Sequence, residues 1–289
     1  MEKYLVLQKI VELKSFSKAA EKMGYTQSAV SQMMAALEGE LCIKLLNRFR
    51  TGTELTLEGA ELYPYIERMI YQHHAVQEKA QEIRGLETGI IRMGTLASIS
   101  AHWMPTLLKK FQEKYPKVQF VIHQGDYSSI QEWIKIGAID FGFVTPAAVT
   151  GIQTDVLKEG TMSVVLPTNH PLAKLERIPL EKLVPEPFIL LEEGHYYEPL
   201  EAFHQAGLEP NIKYTIHDDY AILAMVEAGL GISILADLVL RRTNYNIAIR
   251  PTEPPISRTI AIGYKDKHSL PMASKRFLTY LMEHLDAMP

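Results

Sequence analysis

The sequence predicts an α/β protein with an N-terminal all-α winged helix-turn-helix unit, a long linker helix and a C-terminal domain of two α/β lobes. Three patterns predict this organisation. Two short helical patterns flank a glycine within residues 15–41, a heptad-spaced pattern covers residues 59–86, and strand and helix patterns alternate from residue 90 onward. With 47% hydrophobic and 22% charged residues, the composition is that of a folded globular protein.

The helix-turn-helix is the first predicted element. Gly24 suits its sharp turn, because a residue without a Cβ adopts unusual backbone angles at little cost. Ser17 is expected to cap the first helix and Thr26 the second, since hydroxyl oxygens accept the free N–H groups of a helix start. The apolar side of the second helix follows 3.6-residue spacing and is expected to face a small core: Val30, Met34, Leu37 and Leu41.

The opposite side of that second helix carries four short or amide-bearing side chains without charge, Gln27, Ser28, Ser31 and Gln32. Such a surface suits a DNA major groove, where Gln pairs with adenine and Ser with several base edges. An ordinary solvated helix face is the alternative interpretation. The net charge of −4 argues against bulk electrostatic coating of nucleic acid, so binding would depend on locally placed cations. These are Lys18, Lys22, Lys44, Arg48 and Arg50.

The linker helix is the second predicted element, after a Thr- and Gly-rich segment at 48–57 that is expected to form a small hairpin, the wing. Pro64 is expected to kink this helix without ending it. Its apolar positions are spaced alternately by four and three: Leu62, Ile66, Met69, His73, Val76, Ala80 and Ile83. So narrow a seam predicts a partner helix, most simply from a second copy of the chain. Packing against its own domain is the alternative.

From residue 90 the pattern predicts alternating strands and helices in two sets. The predicted strands are 90–95, 118–123, 139–144, 163–166, 188–191, 212–216, 232–235 and 259–264. The predicted helices are 103–115, 129–136, 199–206, 219–228, 237–242 and 272–285. Two such sets indicate two lobes, and the pattern alone does not show where the chain crosses between them.

Several classes of protein are disfavoured. The sequence contains no G-x-S-x-G, P-loop or dinucleotide fingerprint and no metal-spaced Cys/His set, so we expect neither an enzyme nor a metal or cofactor. A transport receptor would not need residues 1–86. The single Cys42 fits a reducing compartment, the N-terminus lacks a signal-peptide core, and the most apolar stretch, 221–240, is interrupted by Glu, Gly and Asp. We therefore expect a cytoplasmic protein without a membrane span.

The N-terminal motifs resemble those of LysR-type transcriptional regulators, and the likeness runs from about residue 4 to the end. It is carried by SFSKAA at 15–20, TQSAVSQ at 26–32, LE at 37–38, Arg48 and LTLEG at 55–59. Three later motifs occur in the same order as in the family: FQEKYPKV at 111–118, NHPLA at 169–173 and AGLGISIL at 228–235. Three positions depart from the family pattern: Cys42, Leu46 and Gln32. The last, where Arg is frequent, leaves the base preference open.

The resemblance implies a DNA-binding domain at 1–58, a dimerisation helix at 59–87 and an effector domain at 88–289 of the type 2 periplasmic-binding-protein fold. Lobe I would span about 90–161 and 267–289, lobe II about 162–266, with crossings near Thr161 and Lys265. Double-stranded DNA, a small-molecule effector, further copies in a dimer or tetramer, and RNA polymerase are the implied partners. The implied DNA contacts are Thr26, Gln27, Ser28, Ser31, Gln32, Arg48, Arg50, Thr51 and Thr53.

The effector is expected between the lobes, at the carboxyl ends of parallel strands. By resemblance and position, the expected contacts are Ser98, Ser100, Asp126, Thr145, His195, Tyr196 and Asp218. Ser100 and Asp126 have a simpler alternative as helix caps, and His195 as a structural hydrogen-bonding group. A carboxylate at Asp126 disfavours an anionic effector and favours a neutral or amine-bearing one. The effector's identity and the choice between activation and repression are not encoded in a form that these patterns show.

Overall fold

The computed structural model describes residues 1–49, 52–83 and 89–288, apart from the side chains at 78, 79 and 81–83. The chain divides into an N-terminal unit up to residue 84 and a C-terminal unit that holds nearly all later residues. Within the described ranges, none of the helices is both long enough and apolar enough to cross a membrane.

The N-terminal unit is helical with a small hairpin. Its elements are α1 (Glu2–Leu13), α2 (Phe16–Met23), α3 (Gln27–Leu41), β1 (Leu46–Phe49), β2 (Gly52–Leu55) and α4 (Leu57–Ile83). β1 and β2 pair antiparallel with Leu46 opposite Leu55, which confirms the predicted wing as a hairpin. Val30, Met34 and Leu37 of α3 are buried in the core of this unit, as predicted, and α4 continues through Pro64.

The turn between α2 and α3 follows the prediction at two of its three positions. Gly24 ends α2 with a φ of 75°, and the Thr26 hydroxyl accepts the N–H of Ala29 at 3.2 Å. The prediction that Ser17 caps α2 is wrong, because the Ser15 hydroxyl accepts the helix N–H at 3.3 Å. The left-handed backbone at Lys14, with a φ of 50°, ends α1 directly before Ser15 and brings the start of α2 forward.

The C-terminal unit alternates strands and helices. Lobe I begins with β3 (Gly89–Thr95), α5 (Ala97–His102), α6 (Met104–Lys114), β4 (Val118–Gln124), α7 (Tyr127–Ile136) and β5 (Phe141–Val144). There follow β6 (Gln153–Pro167), β7 (Ile178–Pro179), β8 (Pro187–Leu191), α8 (Glu198–Gln205), β9 (Asn211–Ile216), α9 (Asp219–Glu227), β10 (Ser233–Ala236) and α10 (Asp237–Leu240). The final elements are β11 (Ile247–Tyr264) and α11 (Met272–Glu283).

One sheet runs through both lobes in the order β10-β6-β11-β5-β3-β4, with β7 beside β11 and a separate parallel pair of β8 and β9. The lobe I core centres on Trp103, Phe111, Phe143 and Phe277. The lobe II core centres on Phe188, Phe203, Leu223 and Ile234. β6 and β11 are antiparallel partners along almost their whole lengths and contribute to both cores. They are the two strands by which the chain passes between the lobes.

The cores to which the residues of β6 and β11 belong locate the two crossings between the lobes. Met162 belongs to the lobe II core, so the chain leaves lobe I near Thr161. Ile256 is also in the lobe II core, but Ile260 is already buried in lobe I. The chain therefore returns between Ile256 and Ile260, ahead of Lys265. The expected position near Lys265 came from the family resemblance, because the sequence pattern alone does not show where the chain crosses.

Candidate DNA-reading surface and effector cleft

The polar side of α3 that is predicted to contact DNA, formed by Gln27, Ser28, Ser31 and Gln32 and called the reading face below, is open to solvent. Burial of its apolar side turns Thr26, Gln27, Ser28 and Gln32 outward, and Ser31 is half-buried among them. The Thr26 hydroxyl lies 3.0 Å from that of Ser28, which links the helix cap to the first turn of the face. The exposed amides of Gln27 and Gln32 offer both a donor and an acceptor to a base edge.

Arg48 of the wing is held against the reading face. Its Nη2 donates to the Ser31 hydroxyl at 3.3 Å, and its guanidinium lies 3.8 Å from the centre of the Phe16 ring. The side chain thus connects β1 with α3 and α2 while its residue stays exposed. An arginine fixed in this way has its planar donors positioned before any phosphate arrives, so less rotamer freedom is lost on binding.

A second link between wing and recognition helix was missed by sequence reasoning. The Glu38 carboxylate of α3 accepts the N–H groups of Leu45 and Leu46 at 2.8 and 3.1 Å. These two bonds fix the start of β1 relative to α3. The signal in the sequence was an acidic residue on the helix just before the wing, but its partners are backbone groups that no side-chain pattern marks.

Thr53, a predicted DNA contact, is only 5% exposed. Alternation along β2 directs Thr53 inward and Glu54 outward. The predicted contacts Arg50 and Thr51 lie outside the described residues.

The predicted seam on α4 divides into two parts. Ile66 is 4% exposed in the core of the N-terminal unit, so it is not available to a partner helix, and Leu62 packs beside the same core. Farther along, Met69 and Val76 are 36% and 68% exposed. Ala80 is exposed and His73 is half-buried, with its Nε2 3.2 Å from the Gln77 amide. The Ile83 side chain lies outside the described residues.

A cavity of about 200 Å³ lies between the two lobes of the C-terminal unit. Lobe I contributes the residues that follow β3 and β4, and lobe II those that follow β8 and β9, so carboxyl ends of parallel strands surround the cavity as expected. The lining residues are Leu96, Ala97, Gln124, Gly125, Asp126, Leu191, Glu192, Glu193, His217 and Asp219.

Asp126 is the one predicted effector residue among those that line this cavity. Its Oδ1 also accepts the Ser129 N–H at 2.7 Å, so the alternative role as a cap of α7 holds at the same time. Ser98 and Thr145 are each 3% exposed and lie within lobe I. The Ser100 hydroxyl is 2.6 Å from the hydroxyl of Thr95. None of these three residues is among those that line the cavity.

The residues predicted to contact the effector from lobe II do not line the cavity, although residues close to them in the sequence do. His195 is exposed, and its N–H donates to the Ser128 hydroxyl of lobe I at 3.1 Å. Tyr196 packs against the lobe I core, where burial raises the pKa of its hydroxyl. Asp218 caps α9, accepting two backbone N–H groups at 2.8 and 3.0 Å. Because Asp218 turns back to cap the helix, its neighbours His217 and Asp219 line the cavity instead.

Behind the cavity lies a buried ionic cluster, which sequence reasoning missed. Arg258 of β11 donates from Nε to the Tyr127 hydroxyl and from Nη2 to Glu193 Oε1, both at 2.7 Å. The Tyr127 hydroxyl donates to Glu198 Oε1 at 2.9 Å, and Arg258 Nε lies 3.7 Å from the same oxygen. Tyr127 belongs to lobe I and both glutamates to lobe II, so the cluster bridges the lobes at the crossing strand.

Burial sets the protonation equilibria of this cluster. Loss of solvation raises the pKa of Glu193 to about 7, although Arg258 opposes the shift. Burial likewise raises the pKa of Asp219, again against the attraction of Arg258. Burial lowers the pKa of Arg258, but its interactions with Glu193, Tyr127 and Glu198 together outweigh burial and raise the pKa, so Arg258 stays charged. The one sequence signal was Arg258 as the single charged residue in the segment 256–264.

Both parts of the chain match models of known protein families. Residues 1–60 match the model for bacterial regulatory helix-turn-helix proteins of the lysR family, and residues 84–286 match the LysR substrate binding domain. The chain belongs to the LysR family. It is a DNA-binding transcriptional regulator with an effector-binding domain, and not an enzyme.

Relatives of this LysR-type regulator align over nearly the whole chain. The HTH-type transcriptional regulator YvbU of Bacillus subtilis strain 168 is 31% identical over 281 residues, 96% of each chain. The HTH-type transcriptional activator CmpR of a Synechocystis species is 29% identical over 294 residues, covering 100% of this chain and 96% of CmpR. Both alignments span the DNA-binding and effector-binding parts together.

Two solved structures share the fold. Full-length CbnR complexed with its target DNA has a TM-score of 0.70 at 22% identity, covering 97% of both chains. The Synechocystis CcmR regulatory domain in complex with 2-PG has a TM-score of 0.64 at 23% identity, covering 70% of this chain and 100% of the CcmR domain.

Proposed function

We propose that this regulator binds a specific operator sequence through the reading face of α3 and that a small molecule in the cavity between the lobes controls this binding. The exposed, uncharged face of Gln27, Ser28 and Gln32, with Arg48 fixed at its edge, is the observation that carries the proposal. The fold shared with a DNA-bound CbnR and a 2-PG-bound CcmR domain supports both halves.

We further propose that the chain acts as a dimer joined through α4. Met69 and Val76 leave apolar surface exposed on this helix, and a second α4 would cover it. Two reading heads on one dimer add their phosphate contacts, which suits a chain whose net charge is −4. Assembly into tetramers, action on RNA polymerase and a cytoplasmic location complete the proposal by resemblance to the family.

The mechanism is a two-state equilibrium. A ligand that binds one arrangement of the lobes more tightly shifts the population toward that arrangement by its differential affinity. The buried cluster supports this role, since Tyr127 of lobe I and Glu193 of lobe II meet on the same Arg258. A change in the cavity beside Glu193 therefore acts on a contact that joins the lobes.

The reading role of α3 is tested with Gln32→Ala on DNA from upstream of the protein's own gene. One bidentate base contact is worth about 1–3 kcal/mol, so specific affinity is expected to fall by roughly tenfold or more. Affinity for unrelated DNA should change little, because phosphate contacts remain. Fluorescence anisotropy against both DNAs measures the two affinities.

The matched control is Gln119→Ala, an exposed glutamine on β4 of the C-terminal unit. It should leave both affinities unchanged. An equal loss of specific and non-specific binding in Gln32→Ala would refute base reading by this residue.

A further inference from the structure

The cavity between the lobes is lined by an excess of negative charge. Four of its lining residues are carboxylic acids, Asp126, Glu192, Glu193 and Asp219, and none is a lysine or an arginine. His217 is the one lining residue that can carry a positive charge, and its Nε2 is already 3.1 Å from Glu192. A ligand entering this space therefore meets predominantly acceptors of hydrogen bonds.

The nearest buried cation does not balance this charge. Arg258 donates to Glu193 and Tyr127 and lies near Glu198, so one guanidinium is shared among several acceptors. Glu198 Oε2 is buried without a hydrogen-bond partner among the described residues. One carboxylate oxygen of the cluster is thus left without a donor from the described residues.

Asp219 is the most buried of the four carboxylic acids that line the cavity. Its residue is only 7% exposed, yet it lines the cavity. The backbone N–H of Asp219 and the charge of Arg258 favour its ionised form, but in the part of the chain that the structure describes no other residue's side chain donates a hydrogen bond to its carboxylate. Removing a carboxylate from most of its water is costly, so a bound donor with positive charge gains affinity by supplying a charge-assisted hydrogen bond.

The same four carboxylates disfavour an anionic ligand. An anionic group placed among four carboxylates would be repelled in a partly desolvated site, where charges interact more strongly than in water. A bare metal ion also fits poorly: among the described residues, no group of three or more His, Cys, Asp or Glu is arranged to hold one. The cavity of about 200 Å³ is smaller than the roughly 300–1,000 Å³ of drug-sized sites, which favours a compact molecule.

We propose that the effector is a small organic cation whose ammonium or guanidinium group binds Asp219, with Asp126 and Glu192 as further acceptors. This inference rests on the proposed function of the cavity as the effector site. It goes beyond it by assigning the ligand's charge and by naming Asp219, which the sequence did not indicate, as the principal acceptor.

Three probes with the same four-carbon chain test the charge class on the full-length protein: 1,4-diaminobutane, succinate and 1,4-butanediol. Thermal shift and calorimetric titration measure binding, since a ligand of the native state raises apparent stability. We expect saturable binding of the diamine and none of the other two. Binding of succinate or butanediol in preference to the diamine, or binding of none of the three, would overturn the proposal.

Asp219→Asn tests the site, because it keeps the shape and removes the charge. Loss of one charge-assisted bond is expected to weaken diamine binding about tenfold or more. Asp126→Asn is a second variant that retains a capping side chain for α7 and should weaken binding in the same direction. The exposed Asp286→Asn is the matched control and should bind as the wild type does. Unchanged affinity in both cleft variants would also overturn the proposal.

DNA binding separates failure of this inference from failure of the proposed function. Succinate binding that alters operator affinity would reject the cationic class and keep the cavity as an effector site. Absence of specific binding to the upstream DNA would instead reject the regulatory proposal, whatever the diamine does.

Discussion

Replacing Arg258 by methionine should destabilise the C-terminal unit strongly. The substitution removes two hydrogen bonds of 2.7 Å, to Tyr127 and Glu193, and leaves Glu193 and Glu198 buried without their shared cation. Breaking a buried ion pair by removing one partner costs about 3–5 kcal/mol. Two hydrogen bonds to charged groups, at about 1.5–3 kcal/mol each, give a similar total. We therefore expect a loss of about 3–5 kcal/mol at pH 8.

Urea unfolding followed by tryptophan fluorescence measures this loss. Both tryptophans, Trp103 and Trp133, pack in or against the lobe I core, so the signal reports on the C-terminal unit. The exposed Arg177→Met is the control and should change stability by less than about 0.5 kcal/mol. Adding Glu193→Gln to Arg258→Met should restore part of the loss, because it removes the carboxylate left unpaired.

The pH dependence of the stability loss caused by Arg258→Met can refute this reasoning. At pH 5 Glu193 is protonated in the native state, because its pKa is raised to about 7, so the loss caused by Arg258→Met should shrink. A loss below about 1 kcal/mol at pH 8 would contradict the role of Arg258 as the counter-charge of this cluster. So would a loss that is the same at both pH values.

Three further predictions concern other parts of the chain. The native state holds the Glu193 proton more tightly than the unfolded chain does, so wild-type stability should fall by at most roughly 3 kcal/mol as pH rises from 4.5 to about 7, and Glu193→Gln should flatten this profile in urea titrations. Ser15→Ala should lower helix stability by about 0.5–2 kcal/mol, whereas Ser17→Ala should be nearly neutral; equal thermal shifts would contradict the cap assignment. Glutamate at both Met69 and Val76 should give monomers by light scattering, and persisting dimers would place the interface elsewhere.

Local features of the fold were predictable because short stretches of sequence determine them. Gly24 and Thr26 define the turn of the helix-turn-helix through backbone freedom and a hydroxyl cap, and both positions were correct. Which serine caps α2, Ser15 or Ser17, is not determined by the residues next to the cap alone. It depends on where α1 ends, and the left-handed Lys14 that ends it has no distinctive side chain.

Contacts between distant segments could not be predicted from periodicity. Tyr127, Glu193 and Arg258 stand on separate elements far apart in the chain, and only the folded lobes bring them together. The same limit applies to the effector cleft. Its general position follows from the ends of parallel strands, but whether Asp218 or Asp219 faces the cavity depends on which carboxylate caps α9.

The long antiparallel pairing of β6 with β11 limits how the lobes can move. The two strands are hydrogen-bonded on both sides of the crossing, and their register shifts only between Pro251 and Ile256 and between Ile260 and Ala261. Sliding one lobe along the other would break this ladder at many points at once, whereas twisting or bending the ribbon keeps the bonds. The β6–β11 pair can therefore twist more easily than its strands can slide. We therefore expect any ligand-driven motion of the lobes to be a rotation about this strand pair, with the irregular steps beside Ile256 and Ile260 as its most compliant points.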